Sequence, residues 1–224
     1  MVGAFREPSS GRRKKPIHSI FNSIPKPVDK VKNGYDYIIR GDKSMRITSH
    51  SQFSDLLILE NFCSYDIRGE FVKIFNEDVF EELDIDPHMV EVYYSVSKKG
   101  VIRGMHFQEP PMAHNKIVHV IRGGVIDVVL DLRKGSPNYN KVVSVQLTGN
   151  RPKSLYIPKG FAHGFKCLEN NTIMMYLCST VYSPSHDKGV RFDSIPYDWD
   201  CEDPIVSERD MMLPVLSEIE TPFV

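Results

Sequence analysis

Apolar and polar positions alternate along most of the chain after residue 55, and the alternation is interrupted at short, regular intervals by glycine, proline and asparagine. Ordered sequence is expected to begin at Asp55, where Leu56-Leu57-Ile58-Leu59 forms a short apolar run. Asp66-Ile67-Arg68-Gly69 reads as a turn, and Glu70 to Phe75 alternates, with Phe71 opposed to Val72. Asn76 followed by Glu77 and Asp78 predicts one N-capped helix running to Leu83, its acids suited to the positive end. Strands then dominate. Val90, Val92, Tyr94 and Val96 alternate with polar or mixed neighbours, and further strands are predicted over 100–108, 116–121, 125–132, 142–147, 155–157, 163–167 and 173–182. Turn signals at Gly123-Gly124, Gly135-Ser136-Pro137 and Gly149-Asn150 separate them. Many short strands at this spacing predict an all-β sandwich or barrel. After Pro184 the pattern loosens. Ser207-Glu208-Arg209-Asp210 has capping-box spacing and predicts a short C-terminal helix, limited by Pro214. A short strand over 35–40 is also compatible with the pattern.

The 100–108 strand carries the first candidate chemistry. Strict alternation puts Val101, Arg103, Met105 and Phe107 on one face and Ile102, Gly104 and His106 on the other. Glycine inside a strand packs nothing and marks a close approach. Arg103 beside His106 suggests an anionic ligand held against an acid–base group; a buried structural histidine is the alternative.

Composition narrows the class. No apolar run approaches the roughly 20 residues that span a bilayer, and the N-terminal segment lacks the apolar core of a signal peptide. The 4 cysteines (Cys63, Cys167, Cys178, Cys201) are widely spaced, which fits a reducing, cytoplasmic setting better than a disulfide scaffold or a zinc site. The net charge is −1, yet residues 1–48 hold 11 of the basic and only 4 of the acidic side chains. The body is therefore acidic and excludes a nucleic-acid surface. Residues 1–48, with the run Gly11–Lys15 and prolines at 16, 25 and 27, read as a basic, solvated extension or a patch for an acidic partner. Residues 49–224 read as the functional domain.

A second local signal is Pro158-Lys159-Gly160-Phe161-Ala162-His163. This Pro-x-Gly-x-x-His pattern is similar to the second motif of cupin barrels, which turn a double-stranded β-helix inward on a site. Many cupins bind a metal with that histidine and an earlier His-x-His pair. Here the earlier strand offers His106-Phe107-Gln108, short of the three or four ligands a divalent site needs, so no metal is expected.

Taken together, Lys99 to Gln108, Asp131-Leu132-Arg133, Ser136-Pro137, Ile157 to Phe165 and Tyr182-Ser183-Pro184 resemble the dTDP-4-dehydrorhamnose 3,5-epimerase family, in that order and at that spacing. The resemblance runs from about Leu56 to the C-terminus. It implies a cupin jelly-roll homodimer without cofactor, acting on a nucleotide-diphospho-4-keto-6-deoxy sugar. It implies His106 as base, with Asp210 of the late Ser-x-x-Asp orienting it; a purely capping Asp210 is the alternative. It implies Tyr176 as acid, with Tyr182 and Gln108 beside the substrate. Lys116 and His163 would stabilise an enolate oxygen, and Arg103 and Arg68 would bind the diphosphate, Arg68 from the partner subunit. On sequence alone Tyr176 is also simply a buried-strand residue and Lys116 a surface lysine.

The residue types suit the chemistry. An imidazole titrates near neutrality and can remove a proton alpha to a ketone. A phenol is neutral at pH 7 and can return a proton to the opposite face. Departures from the family concern the base: Glu91 and Tyr93 stand where it places a glutamine and an asparagine against thymine, and Glu70 and Lys73 change its Arg-Gly-Phe-Phe-x-Glu run, leaving Phe71 as a stacking ring. A nucleotide other than dTDP, such as CDP or GDP, is therefore an expectation to test. Rival readings are a metal-dependent cupin oxygenase or isomerase, a sugar-nucleotide 3,4-ketoisomerase, and a non-catalytic sugar-nucleotide binding module.

Overall fold

Residues that alternate at period two form strands, and here the strands pair into two sheets stacked face to face. The computed structural model describes residues 45–224 together with the backbone of 36–38. The basic run and the prolines that follow it lie outside the described residues. The strands are β1 (Asp36–Ile38), β2 (Arg46–Ser49), β3 (Leu57–Glu60), β4 (Phe62–Asp66), β5 (Gly69–Lys73), β6 (Glu91–Ser97), β7 (Ile102–Gln108), β8 (Lys116–Arg122), β9 (Gly124–Asp131), β10 (Val142–Thr148), β11 (Lys153–Ile157), β12 (Phe161–Cys167), β13 (Thr172–Cys178) and β14 (Asp187–Gly189). One sheet runs β1-β2-β3-β11-β8-β13-β6, the other β10-β9-β12-β7-β14, and β4-β5 is a separate hairpin. Every pairing between these strands is antiparallel. This is the all-β sandwich expected from the strand spacing, in the jelly-roll form that the cupin resemblance implies.

Three apolar layers hold it. Between the sheets lie Val118, Val120, Val125, Val129, Leu147, Phe165 and Met174. Outside the five-stranded sheet, Ile102, Met105, Phe107, Val128 and Leu130 pack against the C-terminal Phe192, Trp199 and Phe223. Outside the seven-stranded sheet, Met45, Ile47, Ile117 and Leu177 pack against Phe80 of helix α1 (Glu77–Glu82). Asn76 caps that helix by accepting the Asp78 N–H at 3.2 Å, as expected. Among the described residues, no helix is long and apolar enough to cross a membrane.

Folded structure starts earlier than Asp55. Met45 and Ile47 are buried and β2 pairs with β3, because these two side chains complete the layer over α1. The strand expected over 35–40 appears as β1. β13 stops at Cys178 rather than residue 182, because the Ser179 N–H turns away to the Asn115 carbonyl. The β7 faces also differ from strict alternation. Ile102, Met105 and Phe107 pack into the outer layer, whereas Arg103, His106 and Gln108 line the interior cavity, whose edge Phe107 also touches. The cause is a bulge: His163 pairs with His106 but Phe165 with Arg103, so three steps on β7 face two on β12. Gly104 absorbs it at φ +122, and a Cβ there would stand 2.5 Å from the Gly164 Cα. The close approach read from this glycine is thus made by the neighbouring strand. Asp131, Arg133 and Ser136, part of the motif, serve the fold: the Asp131 carboxylate accepts from Arg133 and from Ser136 Oγ at 2.6 Å.

Candidate active site

The inward faces of β6, β7, β8, β12 and β13 close around a cavity of about 430 Å³, a size suited to a small ligand. Its lining includes Glu91, Tyr93, Arg103, His106, Gln108, Lys116, His163, Tyr176 and Tyr182. Nine residues singled out from the sequence thus share one space. Two do not. Arg68 and Phe71 sit on the β4-β5 hairpin away from this lining, and the Arg68 side chain is 85% exposed, paired with Asp66.

His106 reaches the cavity because the β7 bulge turns it inward. Its Nε2 donates to Asp210 Oδ1 at 2.8 Å, while Asp210 Oδ2 accepts the Gly104 N–H at 3.1 Å. Helix α2 (Glu208–Met211) positions this carboxylate. The capping role falls to Ser207, whose Oγ accepts the Asp210 N–H at 3.1 Å. The Asp210 side chain is therefore free for His106, and the cap belongs to Ser207 rather than to Asp210. Burial works against this carboxylate, but the bonds from His106 and Gly104 hold it below the usual range. With Nε2 committed, His106 Nδ1 is left without a hydrogen-bond partner among the described residues.

Across the cavity, β13 presents Tyr176. Its OH shares a hydrogen bond with Ser95 Oγ at 3.2 Å, and Tyr93 stacks on its ring at 4.7 Å between centroids. Burial pushes the Tyr176 phenol well above its ordinary value, so it keeps its proton at neutral pH. Arg103 is fixed by its Nε donating to Ser97 Oγ at 3.1 Å. Gln108, read as a substrate contact, has its amide committed: Oε1 accepts the Ser183 N–H at 2.6 Å, and Nε2 faces Met112 O, His114 Nδ1, Thr180 Oγ1 and Val181 O. It clasps two loops at the cavity rim.

The floor carries a second histidine–aspartate hydrogen bond, His163 Nε2 to Asp127 Oδ2 at 2.8 Å. Both side chains are buried, and Asp127 Oδ1 is unpaired. Burial pushes the Asp127 carboxyl up and the His163 ring down; the pairing and nearby Lys116 oppose the first. Lys116 is itself buried and lowered for the same reason, with Cys178, Asp127 and Asp187 acting against it.

Sequence reading missed Ser95, His114, Asp127, Asp187 and Arg209. Arg209 pairs with Asp187 beside His106. Asp127 had a visible signal, a carboxylate in the apolar run Val125–Leu132. The others had none, because their meaning depends on which strands meet. Among the described residues no three His, Cys, Asp or Glu side chains converge as a metal site would require.

Comparison with known proteins agrees with this geometry. A family model described as dTDP-4-dehydrorhamnose 3,5-epimerase matches residues 50–218. The dTDP-4-dehydrorhamnose 3,5-epimerase of Methanothermobacter thermautotrophicus is 41% identical over 160 residues, covering 69% of this chain and 85% of that protein. The crystal structure of dTDP-6-deoxy-D-glucose-3,5-epimerase from Legionella pneumophila, in complex with dTDP-4-keto-L-rhamnose, superposes with a TM-score of 0.76 at 34% identity, covering 80% of this chain and 98% of that one. The dTDP-4-dehydrorhamnose 3,5-epimerase of Bacillus anthracis, with TDP and PPi bound, gives 0.73 at 36% identity over 77% and 99%.

Proposed function

The chain belongs to the dTDP-4-dehydrorhamnose 3,5-epimerase family, an isomerase with a cupin fold, and on that premise we propose how its own residues carry the reaction. The substrate is a nucleotide-diphospho-4-keto-6-deoxy sugar, inverted at C3, C5 or both. His106 Nδ1 takes the proton from the carbon next to the ketone. The C–H electron pair moves into the ring and the carbonyl becomes an enolate oxygen, stabilised by the Lys116 ammonium with His163 beside it. Tyr176 gives its phenolic proton to the opposite face of that carbon as the carbonyl re-forms. The imidazolium and phenolate then reset by exchange with solvent. Asp210 holds the tautomer that frees Nδ1 and supports the ring when charged. Arg103 faces the diphosphate, and Tyr182, Tyr93 and Glu91 line the remaining space.

The observation that carries this reading is a free imidazole nitrogen on β7 and a buried, protonated phenol on β13, lining one cavity. The test is incubation with dTDP-4-keto-6-deoxy-D-glucose in D2O, followed by NMR. Deuterium at C3 or C5 of an inverted product is expected and identifies the carbon; unchanged sugar hydrogens overturn the reading. We take dTDP as the nucleotide because the relatives' ligands carry it. Glu91 on the cavity wall is the observation favouring CDP or GDP instead, and titration with all three nucleotides decides, tightest binding of dTDP refuting the alternative.

A homodimer completes the site. The hairpin that bears Arg68 exposes Tyr65, Ile67 and Phe71, and β6 exposes Val92, Tyr94 and Val96 on its outer face. Apolar surface of this kind marks an interface, and an Arg68 away from its own cavity fits delivery to the partner's. Sedimentation at the monomer mass would refute this. Four free thiols fit a cytoplasmic enzyme, with the basic N-terminal segment as an appendage to the catalytic domain.

A further inference from the structure

The reaction above rests on an oxygen that becomes negatively charged, and Lys116 is one donor to it. His163 is a poor second donor. Its Nε2 is committed to Asp127 at 2.8 Å, and burial disfavours the charged ring, the form that would donate to a carboxylate and to substrate at once. An enolate held by a single ammonium in a buried site leaves room for another donor.

His114 supplies one. The chain of hydrogen bonds around it fixes its tautomer. The Ser183 backbone N–H can only donate, and it meets Gln108 Oε1 at 2.6 Å. The Gln108 amide is therefore oriented with Nε2 as the donor, and that nitrogen stands 3.2 Å from His114 Nδ1. Gln108 Nε2 shares its two hydrogens among His114 Nδ1, Met112 O, Thr180 Oγ1 and Val181 O, and a proton on Nδ1 would set donor against donor, so the neutral ring carries its proton on Nε2. Among the described residues His114 Nε2 has no hydrogen-bond partner, and the side chain lines the cavity with Lys116 and His163.

We propose that His114 is a catalytic residue of this enzyme: a neutral imidazole whose Nε2–H donates, together with Lys116, to the keto oxygen of the sugar as it becomes an enolate. The inference rests on the epimerase reading of the same cavity and assigns its second oxyanion donor. Burial, with the charges of Lys116, His163 and Lys159 nearby, lowers the ring to about 3, so it donates without itself carrying charge. A neutral imidazole serves as electrophile in this way in other enolising enzymes.

The test is deuterium exchange and turnover of dTDP-4-keto-6-deoxy-D-glucose by wild type, His114→Phe and His114→Gln. Loss of one oxyanion donor lowers kcat by about 10²–10³. We expect that loss in His114→Phe with KM within about threefold of wild type, and recovery to within about tenfold in His114→Gln, whose amide restores an N–H. Dissociation constants for dTDP and melting curves check that the variants remain folded, and His114→Met replaces Phe if the larger ring disrupts the loop. Turnover by the Phe or Met variant within threefold of wild type overturns the assignment, as does an equal loss in the Gln variant. Wild-type protein that exchanges no sugar hydrogen overturns the epimerase reading itself, so the two failures are told apart.

Discussion

Among the described residues, two histidine–aspartate pairs have the same length, 2.8 Å from Nε2 to a carboxylate oxygen, and opposite surroundings. His106 and Asp210 stand at the cavity's open side, with side chains 27% and 5% exposed; His163 and Asp127 sit on its floor at 5% and 0%. Asp210 uses its second oxygen to accept a backbone N–H, whereas the second oxygen of Asp127 is unpaired. One carboxyl is consequently held low and the other pushed up. The shared bond length therefore says little about role. What separates a base from a structural pair is how many donors the carboxylate has and whether the ring's other nitrogen reaches substrate and water.

The sharpest way to break this comparison is to remove each ring. His106→Ala is expected to lower exchange of sugar hydrogens with D2O by at least about 10³-fold, while His163→Ala retains measurable exchange; the reverse ranking would exchange the roles of the two pairs. Tyr176→Phe keeps the base and loses the acid. Deuterium should still enter recovered substrate, with formation of inverted product down by about 10²–10⁴-fold, and parallel loss of both signals would remove Tyr176 from the acid role.

The carboxylates give the next contrast. In Asp210→Asn the amide donates to Nε2 and drives the ring proton onto Nδ1, as a triad aspartate-to-asparagine change does. A kcat loss of about 10²–10⁴ with little change in KM is expected, against less than about 10² for Asp127→Asn. Steady-state kinetics on both variants read this directly, and equal losses would erase the distinction.

The smallest effect is on stability. Asp210 is lower folded than unfolded, so its contribution is complete above about pH 4 and is lost as pH falls through its folded value. His119 is lowered by burial, outside the cavity, where its Nδ1 meets Ser154 Oγ at 3.1 Å. The unfolded chain takes up that proton first, so stability falls as pH drops below about 6.5, by up to about 1.4 kcal/mol per unit. Melting curves from pH 7.5 to 3 should show a shallower decline between 6.5 and 4 in His119→Gln, and in Asp210→Asn a shallower decline below 4. Unchanged slopes would mean that other groups govern acid unfolding.

Much of this was legible before any tertiary contact was considered. Period-two alternation with regular turns determined an all-β body, Asn76-Glu77-Asp78 determined α1, and the Arg103–Gln108 and Pro158–His163 stretches marked the two strands that meet at the site. These are local properties: backbone preference and side-chain period act within a few residues, so the chain itself states them. Which side chains share a face was decided by tertiary structure alone. A bulge at Gly104, packed closely against Gly164 on the next strand, brings Arg103 and His106 to one wall. Ser207 takes over the cap and releases Asp210. The orientation of the Gln108 amide, set by a backbone N–H 75 residues away, chooses the His114 tautomer. Such outcomes depend on distances between residues far apart in the chain, and no periodicity encodes them.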